Sequence, residues 1–155
     1  MRHQTQPNSW SCIATAMATV LDIDVVDLMH RVGHEGSQIM GGAVPARRGF
    51  HVQELIDVAW RMGCYVTRID MMPQSEGNPP WPIEFPVGNW PRFRRYVENT
   101  QGVLLCRTSA GKGHALVNDM GNLYDPSPGR EPFRYDELEQ RELYPFSLLI
   151  VGQRQ

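Results

Sequence analysis

The sequence is poor in cysteine, and its three cysteines form no pairing or metal-binding pattern. Cys12, Cys64 and Cys106 include no CxxC motif and do not stand at a Cys/His metal-ligand spacing. An odd number of unpatterned cysteines argues against a disulfide framework and indicates a reducing compartment. We therefore expect a cytoplasmic protein without a metal site or other cofactor.

Long apolar runs are also missing, and neither sign of charge is in large excess. No stretch approaches the roughly 20 apolar residues of a membrane-spanning helix, and the N-terminus lacks a charged-then-apolar signal pattern. The formal net charge is −2, so the chain lacks the excess of positive charge that is typical of proteins that bind anionic partners. The composition thus predicts neither a nucleic-acid partner nor a membrane partner.

The length and the order of the patterns suit one globular unit. A chain of 155 residues with 41% hydrophobic content can bury a core of its own. No internal repeat or change in composition marks a boundary, so we predict a single domain over residues 1–155. Helical periodicity comes first and strand-like segments follow, which predicts an α+β fold rather than alternating βαβ units.

The coarse element pattern has three helices, then mostly strands. Ser11 is the predicted N-cap of the first helix, Asp24 caps the second, and His51 opens the third. A fourth helix is predicted to start near Asn89, and a short acidic helix near Tyr135. The predicted strands cover residues 64–69, 103–107, 114–118, 122–125 and 146–151.

Two long loops separate these elements. Residues 34–49 contain four glycines, and residues 73–91 contain six of the twelve prolines. Loops of this length in compact domains are often functional, so we expect residues 34–49 and 72–91 to form the rims of a cleft. The proline-rich loop could instead be a polyproline ligand, although an ordered loop that packs its tryptophans is favoured.

Cys12 lies at the junction between a polar, turn-prone segment and the first predicted helix. A thiol in the first helical turn is close to the positive end of the helix dipole and to unpaired backbone N–H groups, and both favour the thiolate. A buried, inert cysteine is the commoner situation. Cys12 is therefore a candidate nucleophile only if the chain also supplies a base.

The other parts of a thiol active site each have a candidate. A thiolate needs a base, a group that orients the base, and donors for the oxyanion. His114 follows a glycine-rich loop at the start of a strand and is the candidate base. Asp125 is the candidate orienting group, and the oxyanion donors would be the Gln6 side chain and the Cys12 backbone N–H.

The register of the hairpin that carries His114 and Asp125 decides whether they meet. If residues 118–121 form a four-residue loop, His114 lies directly opposite Asp125, with Cβ atoms about 5 Å apart. A two-residue turn at residues 121–122 would separate the two residues by about 13 Å. Asn-x-x-Gly suits a type I turn, so the four-residue loop is preferred.

Together these residues resemble the papain-like cysteine peptidases, and in particular the compact bacterial C39-like branch with its double-glycine leader peptidase domains. The resemblance rests on Gln6 six residues before Cys12, on Gly-His-Ala around His114, and on Asp125-Pro126. It implies a papain-like α+β fold with N-terminal helices packed on a C-terminal antiparallel sheet. It also implies a peptidase in which Cys12 is the nucleophile, His114 the general base, Asp125 its orienting group and Gln6 part of the oxyanion hole.

The expected activity is thiol-dependent hydrolysis of a peptide or isopeptide bond in a protein or peptide substrate. No propeptide precedes Cys12, so we expect no zymogen control within this chain. Acyl transfer or deamidation would use the same residues. A catalytically silent scaffold could instead bind a partner through Arg47 and Arg48 or through the proline-rich loop.

His30 and His34 have helical i, i+4 spacing, but no third metal ligand accompanies them. The sequence does not indicate an oligomeric state.

Overall fold

The computed structural model describes residues 1–71 and 89–155 of the chain. Its helices are α1 (Cys12–Leu21), α2 (Val25–Val32), α3 (Val52–Arg61) and α4 (Trp90–Asn99), with a 3₁₀ turn at Tyr135–Glu137. Its strands are β1 (Ile39–Met40), β2 (Ala46–Arg47), β3 (Cys64–Asp70), β4 (Gln101–Thr108), β5 (Gly113–Asp119), β6 (Asn122–Tyr124), β7 (Phe133–Arg134) and β8 (Leu143–Gln153). Within these two ranges no helix has both the length and the apolarity to cross a membrane.

Six of the strands form one antiparallel sheet in the order β3-β8-β4-β5-β6-β7. The long strand β8 pairs with β3 on one side and with β4 on the other. β1 and β2 form a separate two-stranded hairpin inside the predicted 34–49 loop. Three helices thus precede the main sheet, and α4 lies between its strands β3 and β4. The predicted α+β fold is confirmed.

The sheet is covered on both faces, and this explains why β4 has a continuous run of apolar residues. Val103 and Leu105 pack into the core shared with α1, α2 and α3. Leu104 and Cys106 point the opposite way, into a second core that α4 covers. A strand buried on both faces reads as a continuous apolar run rather than an alternating one.

Helix α1 is the helix most enclosed by the rest of the fold. Residues 14–19 are all buried, and the helix contacts β4, β5, α2 and α3. Ala14, Ala16 and Ala18 have no exposed surface, and their small side chains let the neighbouring elements come close to the helix backbone. Of the larger apolar residues only Met17 is fully buried, because the helix ends lie at the margin of the core.

The β5–β6 hairpin has a register that differs from both predicted ones. Asp119 pairs with Asn122, so the turn holds only Met120 and Gly121. Both predicted registers, with a four-residue loop or with a turn at residues 121–122, are wrong. In each of them the strand pairing is shifted by two residues from the observed one. Met120 and Gly121 have φ angles of 51° and 84°, as a type I′ hairpin turn requires.

The physical reason for this register is the burial of Asn118. Its side-chain Nδ2 donates to the Val97 and Thr100 carbonyls at the C-terminal end of α4, at 3.0 and 2.7 Å. Its Oδ1 accepts from the Gly121 N–H at 3.2 Å. The preferred prediction had Asn118 inside the turn, whereas its side chain links the turn to a helix that precedes it by about 20 residues.

Two other segments also differ from the prediction. The acidic segment after Tyr135 makes only a single 3₁₀ turn rather than a helix to residue 142, because the Leu143 N–H returns to the Leu138 carbonyl at 3.0 Å and the chain enters β8. β8 starts three residues before the predicted strand and ends two residues after it. The predictions for residues 72–88, including the ordered proline-rich loop, lie outside the described residues.

Candidate active site

Cys12 is the first residue of α1, as predicted, and its side chain is partly exposed. Ser11 occupies the N-cap position, but its side chain does not cap the helix. The Ser11 hydroxyl instead donates to the Asn8 carbonyl at 3.3 Å, while the Asn8 side chain accepts from the Trp10 N–H at 3.2 Å. Asn8 therefore shapes the loop turn that leads into the helix. The Cys12 N–H lies in the first turn of α1, where N–H groups have no acceptor within the helix.

His114 lies at the start of β5 and is held by Asp125. Its Nε2 atom is 2.9 Å from Asp125 Oδ1, and the two side chains are only 16% and 11% exposed. The same Oδ1 accepts from the Ser127 N–H at 2.8 Å, which fixes the carboxylate in an Asx turn. Because Asp125 occupies Nε2, Nδ1 is the ring nitrogen left to face Cys12.

The pKa of His114 is raised to about 9. Burial by itself lowers this pKa, but hydrogen bonds to Asp125 and to Cys12, and the charges of the same two groups, outweigh it. For Asp125, burial raises the pKa, but the hydrogen bonds from His114 and Ser127 outweigh it and leave that pKa below the ordinary value. At neutral pH the ring is therefore an imidazolium beside an ionised carboxylate.

Gln6 reaches the same site through the chain segment before α1. Its backbone N–H donates to the Pro126 carbonyl at 2.8 Å, next to Asp125. Its side-chain Oε1 is buried and has no hydrogen-bond partner among the residues that the structure describes. A buried polar atom without a partner is costly, so Oε1 can accept a hydrogen bond from a ligand. A donor to an oxyanion would have to be the Nε2 group of the same amide.

The four predicted residues line one cleft with a volume of about 520 Å³. Most of its lining residues are polar or charged, and Phe133 and Leu143 are the large apolar ones. The remaining described residues of the wall are Ser9, Thr108, Ser109, Lys112, Gly113, Ser127, Arg130, Arg141 and Glu142. The structure thus brings the pair Gln6 and Cys12 to the same cleft as His114 and Asp125, about 100 residues later in the chain.

Residues 34–49, the predicted rim, contact Trp10, which is two residues before Cys12 in the chain. Neither Trp10 nor a residue of this segment is among the described residues that line the cleft. The Trp10 indole N–H donates to the Glu35 carbonyl at 3.0 Å, and the Arg47 guanidinium lies 4.9 Å from the centre of the Trp10 ring. His34 is 2.9 Å from Glu54 through Nε2 and accepts from the Gly36 N–H through Nδ1. Both ring nitrogens of His34 are therefore engaged within the protein.

The other two cysteines differ from Cys12 in burial. Cys64 and Cys106 are both buried, and Cys106 pairs with His114 across the β4–β5 ladder. Burial, and then the negative charge of Asp125, raises the pKa of Cys106 well above its usual range. Cys106 therefore stays a thiol at neutral pH although it lies near the candidate site.

Sequence reasoning missed several groups that shape the site. Asn8, Ser127 and the Pro126 carbonyl position the candidate residues, and Lys112 and Arg130 add charge to the cleft. The Asp-Pro-Ser sequence is an Asx-turn signal and could have revealed the Ser127 contact. No sequence signal places Lys112 or Arg130 beside Cys12, because their position depends on the two loops meeting at the cleft.

Two solved structures share this fold over nearly the whole chain. The first is a double glycine motif protease from the AMS/PCAT transporter in complex with the leader peptide; it has a TM-score of 0.56 and 11% identity, and the match covers 98% of this chain and 91% of that one. The second is the peptidase domain of Streptococcus ComA, a bi-functional ABC transporter involved in a quorum-sensing pathway, with a TM-score of 0.56, 11% identity and coverage of 98% and 97%. Neither a protein-family model nor a curated protein matches the chain. The predicted resemblance is therefore confirmed for the fold.

Proposed function

We propose that this protein is a cysteine peptidase that uses Cys12, His114 and Asp125, with Gln6 in the oxyanion hole. The observation that carries the proposal is the position of His114, which contacts Asp125 through Nε2 and lines the same cleft as Cys12, near enough for Cys12 to raise its pKa. A nucleophile, a base in contact with it and a third group that orients the base form the minimal set for thiol acyl transfer. The shared fold supports the peptidase assignment.

In the first step the Cys12 thiolate attacks a peptide carbonyl and forms a carbon–sulfur bond. The carbonyl oxygen takes up the electron pair as an oxyanion. The Cys12 N–H and the Gln6 side-chain amide donate to that oxyanion, since the N–H is in the first turn of α1 and the amide lines the same cleft. Donors fixed in advance stabilise the developing charge most effectively.

In the second step the His114 imidazolium gives its proton to the leaving amine, the carbon–nitrogen bond breaks, and a thioester remains on Cys12. The neutral ring then accepts a proton from water as the water attacks the thioester. Collapse of this second intermediate releases the carboxylic acid and restores the thiolate and the imidazolium. Asp125 stays ionised and keeps the ring aligned, as its lowered pKa supports.

We propose a peptide segment as the substrate. One structural neighbour was solved in complex with a leader peptide, which supports a peptide as the ligand of this protein. The rim formed by residues 34–49 and Trp10 would lie along one side of such a peptide. Hydrolysis of an isopeptide bond would use the same atoms.

Two other functions would use the same scaffold. Acyl transfer and deamidation differ from peptidase activity only in which amine leaves or which nucleophile attacks the thioester. A binding protein without catalysis would not need the hydrogen bonds that orient His114 and Asp125. The oriented imidazolium therefore favours an enzyme over a silent scaffold.

The first test is alkylation with limiting iodoacetamide at neutral pH, followed by peptide mass spectrometry. We expect selective modification of Cys12, and we expect the selectivity to be lost in His114→Ala. Cys64 and Cys106 serve as internal controls because both are buried in the same molecule. Equal labelling of the three cysteines in folded protein would contradict the proposal.

The second test is incubation with a peptide library, with Cys12→Ala as the inactive control. A peptidase yields products that carry one added water, whereas a transferase yields products joined to an added amine. A +1 Da change without chain cleavage would identify deamidation. Binding of peptides by both proteins, with no Cys12-dependent product, would support the silent scaffold instead.

We also propose that the protein works in the cytoplasm. The three cysteines are free, and an unpaired reactive thiol is maintained in a reducing compartment. Expression of the intact chain with a compartment-specific biotin ligase would test this assignment, with labelling expected only from the cytoplasmic ligase.

A further inference from the structure

Two cations lie in the cleft beside the candidate catalytic residues. Lys112 and Arg130 line the same cavity as Cys12 and His114. Lys112 is two residues before His114, and Arg130 is five residues after Asp125. Lys112 thus lies in the loop that leads to His114, and Arg130 lies in the loop that follows Asp125.

Hydrogen bonds within these two loops hold the cations near the cleft. The Lys112 carbonyl accepts from the Thr108 N–H at 2.9 Å, and the Lys112 N–H donates to the Thr108 hydroxyl at 3.2 Å. Arg130 follows a turn in which Ser127 is tied to Asp125 and Gly129 has a φ of 72°. These bonds hold the Lys112 backbone, and the Asp125–Ser127 bond shapes the turn that precedes Arg130. Both charged residues are exposed and line the cleft.

These cations differ from the third one in the cleft. Arg141 forms an ion pair with Glu137 at 3.1 Å and lies over the Phe133 ring. Lys112 and Arg130 have no carboxylate partner among the described residues. Unneutralised charges in a concave site raise the local concentration of ligands of opposite charge.

The negative groups of the cleft leave Lys112 and Arg130 without an ion-pair partner among the described residues. Asp125 is engaged with His114 and the Ser127 N–H, and its charge is balanced by the imidazolium that the raised pKa of His114 maintains. Glu142 is the other carboxylate among the lining residues that the structure describes. With the Cys12 thiolate of the proposed mechanism included, the ionised groups of the cleft are close to balance, but no described carboxylate pairs with Lys112 or Arg130. A carboxylate of a ligand can therefore pair with these two cations.

We propose that Lys112 and Arg130 recognise a carboxylate of the substrate close to the bond that is cleaved. This proposal rests on the peptidase function proposed above and adds the substrate class: a peptide with an acidic side chain, or with its free C-terminal carboxylate, near the scissile bond. Arg130 can bind a carboxylate through two N–H groups, whereas Lys112 acts as a point charge.

The test compares two small alkylating agents that differ only in charge. Iodoacetate and iodoacetamide both transfer a CH₂ carbon to Cys12, with the carbon–sulfur bond forming as iodide leaves. The measured quantity is the ratio of the iodoacetate rate to the iodoacetamide rate at Cys12. We expect this ratio to fall about two- to threefold in Lys112→Met and in Arg130→Met at low salt, the size of a single charge effect at several ångströms in water.

The matched control is Arg95→Met, which removes one exposed cation from α4, away from the cleft lining. This variant should keep the wild-type ratio. Lys112→Glu should lower the ratio further than Lys112→Met, and added salt should reduce the difference between wild type and variants. Selective labelling of Cys12 with a ratio that none of the cleft variants changes would overturn this inference and leave the proposed function intact. Loss of Cys12 selectivity would overturn the proposed function itself.

A peptide library distinguishes the two sources of the carboxylate. Glu and Gln are compared at each position within internal sequences, and each peptide is made with a free or an amidated C-terminus. Preference for internal Glu that weakens in Lys112→Met identifies a side-chain carboxylate. Cleavage near the C-terminus that amidation abolishes identifies the terminal one. Equal cleavage of Glu and Gln peptides in both end forms would overturn the inference.

Discussion

The Nε2 atom of His114 lies 2.9 Å from Oδ1 of Asp125 although the two residues are not directly opposed across the β5–β6 hairpin. The ladder pairs Val117 with Tyr124, so its extension places Asp125 opposite Leu116, two residues from His114. Diagonal neighbours of this kind lie on one face and are within reach of long side chains. A ring and a carboxylate together span that distance, so direct opposition is not needed for the contact.

This geometry leads to a prediction for His114→Ala. Removing the imidazole takes away both the proton donor for the leaving amine and the positive charge beside Cys12. Hydrolysis should fall by about 10²- to 10⁴-fold, the usual contribution of a positioned acid–base group. The measurement is kcat with a cleaved library peptide. His30→Ala, which removes an exposed histidine on α2, should retain activity, and equal losses in the two variants would contradict the role of His114.

The pH dependence of hydrolysis should have a descending limb near pH 9. The pKa of His114 is about 9 because its hydrogen bonds to Asp125 and Cys12 outweigh the opposing effect of burial. The imidazolium is thus present below that pH and lost above it. In Asp125→Asn the limb should move down, towards the ordinary histidine value of about 6.5.

The measurement for this shift is kcat/KM across the titration, which reports the free enzyme. Glu54→Gln provides a matched control because Glu54 forms a histidine–carboxylate pair of the same 2.9 Å length with His34. That variant should leave the limb near pH 9. A limb that stays in place in Asp125→Asn would show that another group controls it.

Gln6→Ala should separate oxyanion stabilisation from thiol reactivity. Hydrolysis passes through an oxyanion, and loss of one donor to it costs about 10²- to 10³-fold in kcat. Alkylation of Cys12 by iodoacetamide forms no oxyanion, so it should fall far less. Gln4→Ala is the control: Gln4 bonds the Val25 N–H and the Ile23 carbonyl near the start of α2, so its loss should affect stability rather than kcat. Parallel losses of both reactions in Gln6→Ala would point to a structural role for Gln6.

Asn118→Ala should destabilise the protein by about 2 to 4 kcal/mol, since it removes three hydrogen bonds of a buried side chain; the Thr100 carbonyl keeps a second partner, the Met120 N–H. The Val97 and Thr100 carbonyls and the Gly121 N–H all bond to this side chain. The measurement is the free energy of unfolding from denaturant titration. Asn122→Ala, which removes one exposed contact to Arg134, should cost well under half as much. Similar costs for both would show that Asn118 does not determine the hairpin.

Local chemistry was sufficient to predict much of the fold. Asp24 caps α2 through the Val26 N–H, and Gly33 ends that helix with a φ of 96°, as the residue types predict. The predicted start of α1 at Cys12 and the strand beginning at Cys64 are also confirmed. These features depend on neighbours within a few residues, which the sequence displays directly. The single domain and the roles of the four site residues stay predictions.

The hairpin register could not be read in the same way, because a side chain's distant partner decided it. The residue types at 118–121 suit a type I turn, but that prediction did not include the contacts of Asn118 with the carbonyls at the end of α4. These carbonyls bond the buried Asn118 amide, and the turn contracts to Met120 and Gly121. The β1–β2 hairpin likewise lies in a segment whose local composition indicated only a loop.

The order of residue types along the chain therefore predicted the α+β class and the start of α1 at Cys12. It also indicated Gln6, His114 and Asp125 as candidate site residues. Packing decided whether those candidates meet. The Gln6 N–H reaches the Pro126 carbonyl, and Lys112 and Arg130 reach the cleft of Cys12, only after the sheet has brought separate loops together. Contacts between residues more than 100 positions apart depend on how the layers stack, and no local pattern encodes that stacking.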